Sequence, residues 1–85
     1  MNDRARRSRL RWRCRRGVRE LDVLLERFVD AKLAGAGEEL CGDCERLLEQ
    51  PDPLLIEWLI LGARPPPELE DIVELIRTHA RAGPA

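Results

Sequence analysis

Glycine and proline cut this 85-residue chain into pieces too short for anything but a bundle of brief helices. The cuts fall at Gly17, at Gly35-Ala36-Gly37, at Gln50-Pro51, at Gly62 and at Pro65-Pro66-Pro67. Glycine takes a positive φ readily, and proline lacks the N–H that a continuing helix needs. Between the cuts apolar side chains recur at helical spacing, and no segment alternates as a half-buried strand does. The fold class is therefore all-α: a single compact bundle of about five short helices, with no room for a second core. Residues 1–85 form one domain, in which 1–9 are expected to be a partly disordered basic start and 82–85 a frayed tail.

The first helix is expected from about Arg4 to Arg15, with Leu10 and Cys14 on one face, a cationic last turn, and Gly17 at the C′ position. A second, Val18 to Leu33, carries Leu21, Leu25, Phe28 and Lys32 on one stripe, flanked by Leu24 and Val29. Glu20 and Asp22 lie in its first turn, where carboxylates complement free N–H groups. The third, Glu38 to Glu49, buries Leu40, Cys44, Leu47 and Leu48. Asp52 as N-cap and Pro53 in the first position open the fourth, Pro53 to Leu61, whose apolar side chains cover nearly every face. Such a helix is either the centre of the bundle or a docking face. The fifth has Pro67 in its first turn and a stripe of Leu69, Ile72, Val73, Ile76 and Ala80.

Charge is divided unevenly along the chain. Residues 1–19 hold nine arginines against Asp3 alone, and the remainder holds six basic and fifteen acidic side chains, so a net charge of −1 conceals a dipolar molecule. A basic helix can neutralise phosphates. The acidic remainder would repel a polyanion, and Trp12 is the one stacking aromatic among the arginines, so an acidic protein partner or plain solvation is the stronger reading and no nucleic acid is expected. Fourteen arginines to one lysine suggest a GC-rich bacterial genome.

Other chemistry is sparse. Three cysteines are too few and too uneven for a disulfide framework, which points to a reducing compartment. Cys41-x-x-Cys44 would need Cys14 and His79 to complete a zinc site, yet Cys44 falls on the Leu40/Leu47 stripe and reads as a small core hydrophobe, so no metal is expected. His79 reads as a solvated residue complementing a helix C-terminus. With Ser8 the only serine, no tyrosine and no Gly-rich phosphate loop, nothing resembles an active site, and neither an enzyme nor a stably bound cofactor is expected. No apolar stretch follows Arg6-Arg7, and Glu57 interrupts the longest apolar run, so a cytoplasmic chain without membrane insertion is the expectation.

The junction Arg16-Gly17-Val18-Arg19-Glu20 is what remains. Glu20 could cap its helix and pair with Arg16 across the turn. Alternatively, a rigid turn presents an arginine, bare backbone and a carboxylate to a partner, with Trp12 and Trp58 as anchors.

These residues also resemble a family. Trp12-x-Cys14-Arg15-Arg16-Gly17-x-Arg19-Glu20-Leu21-Asp22, then Leu47-Leu48-Glu49, Asp52-Pro53, Trp58-Leu59, Gly62 and the Pro-x-x-Leu-Glu opening of the last helix resemble the succinate dehydrogenase assembly factor 2 family, the SdhE-type flavinylation factors. The likeness covers about residues 10–80. It implies a five-helix protein that binds the flavoprotein subunit of succinate dehydrogenase, and in some bacteria of fumarate reductase, and promotes covalent attachment of FAD to a client histidine. In family terms the Arg-Gly-x-x-Glu signature carries over to Arg16, Gly17 and Glu20 at the client contact, and Trp12, Arg15, Asp22 and Trp58 match surrounding positions. The implied role is chaperone-like, holding the client in a reactive arrangement. The competing readings are a basic-helix nucleic-acid-binding regulator and an antitoxin-like interaction module. A monomer is expected, with the fourth helix as the face through which a dimer could form.

Overall fold

The stripe Leu21, Leu25, Phe28 and Val29 places the second helix in the middle of the molecule, packed on the first, fourth and fifth. In the computed structural model, which describes residues 3–81, five helices follow one another: α1 Asp3–Arg13, α2 Arg19–Lys32, α3 Glu38–Leu48, α4 Asp52–Leu59 and α5 Glu70–Arg81. A 3₁₀ turn at Pro67–Leu69 leads into α5. The described residues contain no strand, as the spacing predicts, and no helix among them is long and apolar enough to cross a membrane.

Each helix contributes the face its sequence predicts, except that Leu40, expected to be buried, is only partly so. Leu10 and Cys14 drop into the core from the first segment, Cys44, Leu47 and Leu48 from α3, and Leu69, Ile72, Val73 and Ile76 from the 3₁₀ turn and α5. Lys32 and Ala80, at the ends of their stripes, are exposed. α4 is a wall of the bundle rather than an open face: Leu55, Trp58 and Leu59 are buried, Leu54, Ile56 and Ile60 pack partly against the core, and Leu61, beyond the helix end, is exposed.

Several boundaries differ from expectation. Residues 3–9 belong to α1, from which Arg6 reaches across to α3. Its Nε and Nη2 donate to the two carboxylate oxygens of Glu45 at 2.9 and 2.8 Å, and Nη1 donates to Glu38. This forked, charge-assisted geometry fixes orientation as well as adding energy. Residues 1–2 and the expected frayed tail at 82–85 lie outside the described residues. At its other end α1 stops at Arg13, where Cys14 and Arg15 donate their N–H groups three residues back, to Arg11 and Trp12. Gly17 is therefore not the C′ residue but the pivot of a longer link. α4 takes in Asp52 as its first residue, with Pro51 at the N-cap position and no side-chain cap, because the Asp52 carboxylate is engaged elsewhere.

Candidate functional site

Gly17 has φ +88°, a conformation costly for any residue with a Cβ. Nothing lies within 4 Å of where that Cβ would be, so glycine is needed for the shape of the turn and not for internal space. Asp22 sets that shape from within α2. Its carboxylate accepts the N–H of Arg16 at 2.8 Å and of Gly17 at 3.1 Å, while its own N–H donates to Val18 at 2.8 Å. The turn between α1 and α2 is thus held by the first turn of the helix that follows it.

Arg16 holds the same turn from outside. Its Nε donates to Asp52 at 2.7 Å, Nη1 to the carbonyls of Leu48 at 2.8 Å and Arg13 at 3.2 Å, and Nη2 to the carbonyl of Gln50 at 2.7 Å. Four of the five guanidinium donors are directed inward, and the side chain is only 16% exposed. Two of the carbonyls it takes, those of Leu48 and Gln50, are left open where α3 ends, and the third, that of Arg13, is at the end of α1. The expected pairing of Arg16 with Glu20 is not made: a bare helix end and a nearby carboxylate outcompete a solvent-exposed pairing. Glu20 is left exposed, with no partner among the described residues.

Trp12 and Trp58 separate sharply. Trp12 is 70% exposed, with the Arg15 guanidinium 5.5 Å from its ring centroid, a cation–π contact on the surface. Trp58 is 5% exposed and sits in the core, so its expected part as a surface anchor is corrected: on a helix apolar all round, sequence does not tell which face turns inward. Arg11 donates to Asp30 at 2.8 Å and lies 3.4 Å from Glu26, and Arg15 is 4.0 Å from Glu26, so the end of α1 is fastened along α2. The exposed group is then Trp12, Arg15, Gly17 and Glu20, carried on a frame of Arg16, Asp22 and Asp52. Sequence reasoning missed the part Asp52 plays, because the Asp-Pro pair has a sufficient local explanation as a helix start.

The cysteines and His79 take no part in holding this turn. Cys41 is half-buried, while Cys14 and Cys44 are buried; Cys14 Sγ is 3.2 Å from the Leu10 carbonyl. His79 is half-buried and not merely solvated, meeting Phe28 edge-on with ring centroids 6.0 Å apart. Burial pushes the Cys14 and Cys44 thiols up from 9.0 to about 12. From pH 9 upward the unfolded chain therefore binds fewer protons than the folded one, so stability is full below pH 9 and falls as pH rises toward 12. Urea midpoints on both sides of pH 9 check this, with Cys44→Ala expected to flatten the decline.

Residues 8–80 match the family described as flavinator of succinate dehydrogenase. The chain is 40% identical over 77 residues to the FAD assembly factor SdhE of Coxiella burnetii, an alignment covering 91% of this chain and 92% of that protein. Over 75 residues it is 40% identical to the FAD assembly factor SdhE of Legionella pneumophila strain Paris, covering 88% and 95%. To that of Shewanella oneidensis it is 43% identical over 75 residues, covering 86% and 90%.

Proposed function

Since the chain belongs to the family of flavinators of succinate dehydrogenase, we propose that it is an FAD assembly factor that binds the flavoprotein subunit of that enzyme and promotes covalent FAD attachment there. The observation that carries this reading is the turn at Gly17: open backbone and an unengaged Glu20 carboxylate on a frame already fixed by Arg16 and Asp22. A surface whose shape is set before binding loses little entropy on docking. Glu20 donates no chemistry by itself, but a carboxylate on a rigid helix start accepts hydrogen bonds from the client at a defined place.

The role is orienting and not catalytic. The exposed group consists of an indole, a guanidinium, backbone and a carboxylate, which suits it to binding and holding. Holding the client so that its own reacting groups meet is a proximity effect, and such effects contribute roughly 7–11 kcal/mol in well-oriented reactions. The flavoprotein subunit of fumarate reductase is a second client in this reading, and the factor acts as a monomer. The nucleic-acid alternative is weakened by the pairing of Arg6, Arg11 and Arg16 with Glu45, Asp30 and Asp52, which reduces the positive charge available to phosphates.

Co-expression with the client flavoprotein subunit, read by in-gel flavin fluorescence, tests the proposal. Gly17→Arg adds strain of about 1–2 kcal/mol but meets no internal clash, so it folds and blocks the contact. Glu20→Ala removes a carboxylate whose loss from a buried interface costs ~2–5 kcal/mol of binding. Both variants are expected to fold and to leave the client largely without covalent flavin. Fluorescence at the wild-type level in both would sink the reading.

A further inference from the structure

A cleft of about 180 Å³ opens between α2 and α5, lined by Glu20, Val23, Leu24 and Arg27 on one side and His79 and Ala80 on the other. Apolar and ionisable side chains share its lining: Leu24 packs against the core, and His79 stands against Phe28. Val23 on the rim is 43% exposed, and no hydrogen bond or ion pair engages the exposed Arg27 among the described residues. The cleft sets exposed apolar surface beside Arg27 and Glu20, neither of which has a partner among the described residues.

The cleft adjoins the Gly17 turn. Glu20 belongs to both, and residues three, four and seven positions apart share one helix face, so Glu20, Val23, Leu24 and Arg27 form a single strip along α2. Glu26, which lies beside Arg11 and Arg15, borders this strip on the α1 side. The exposed surface around Trp12 and Gly17 therefore continues along α2 into the cleft, and a protein seated on the turn extends over it.

We propose that this cleft receives an apolar side chain of the flavoprotein client, with an acidic client residue beside it meeting Arg27; this rests on the reading of the Gly17 turn given above. The turn fixes where the client sits, and the cleft fixes its rotation about that point. A contact confined to one tight turn leaves such rotation free, whereas an apolar side chain seated between two helices does not. Desolvation of the cleft by the client also strengthens the Arg27 contact, which in water is weak.

Titration calorimetry with the purified flavoprotein subunit tests this, using Val23→Asp, Ala80→Arg, Arg27→Glu and Arg27→Lys. All three positions are exposed on their helices, and far-UV circular dichroism verifies that each variant is folded. Val23→Asp, Ala80→Arg and Arg27→Glu are each expected to weaken binding by about tenfold or more, and Arg27→Lys by much less. Binding within about twofold of wild type by Val23→Asp and Ala80→Arg, with Gly17→Arg still deficient, overturns the cleft and leaves the turn contact standing. Loss in Val23→Asp alone confines the contact to the outer face of α2 and likewise overturns it. Undiminished binding in every variant, Gly17→Arg included, overturns both proposals.

Discussion

Trp58→Ala is expected to lower the unfolding free energy by about 3–5 kcal/mol, whereas Trp12→Ala leaves it nearly unchanged. The two tryptophans differ in what surrounds them: Trp58 is 5% exposed in a core otherwise built of aliphatic side chains, two cysteines and Phe28, and Trp12 is 70% exposed. A cavity of indole size cannot be refilled by short, rigidly placed leucines and isoleucines without moving helices. A domain of this length has a total stability of roughly 4–13 kcal/mol, so the loss at Trp58 brings it close to unfolding. Trp12→Ala instead weakens client binding, as removal of an exposed aromatic anchor does. Thermal denaturation paired with client titration separates the two. A stable Trp58→Ala protein that fails only in binding would return Trp58 to the surface.

Arg16→Ala is the second large effect, and it falls on stability and binding together. The guanidinium serves the Leu48 and Gln50 carbonyls and the Asp52 carboxylate, and truncation leaves these half-buried acceptors without it. The expected loss is about 2–4 kcal/mol, from hydrogen bonds of a charged donor to acceptors that keep their desolvation cost. Arg16→Lys restores the charge but not the fork, since an ammonium cannot donate to three separated acceptors in that plane, so it recovers only part of the loss. Covalent flavinylation is expected to fall further than stability alone dictates, because the turn that carries Gly17 and Glu20 loses its support. Denaturant titration beside client flavin fluorescence measures both; a folded Arg16→Ala protein with full flavinylation would contradict the clamp.

What could be read in the sequence was what neighbours along the chain decide. Leu69, Ile72, Val73 and Ile76 follow helical spacing and are buried as that spacing requires, and Gly17 takes the positive φ that its place between two helices suggests. Cys44, on the Leu40/Leu47 stripe, is in the core. Contacts between distant segments were not legible. Arg16 and Glu20 are four residues apart and oppositely charged, so a local pairing is the natural inference, yet the arginine meets acceptors near residue 50. Asp52 had a local use as a cap and has a distant one instead. Trp58 had no polar neighbour to orient it, and only the packing of α4 decides its face.

The residues proposed to recognise the client stand together in the sequence, but their shape does not belong to that segment. Arg16 closes loops of 32 to 36 residues when it bonds Leu48, Gln50 and Asp52. The entropy of closing such loops is met only once α3 and α4 have docked. A growing chain that ends before residue 48 therefore displays the signature without its geometry. On the proposed reading, competence to capture the flavoprotein requires these long-range closures, so a half-made factor does not occupy its client.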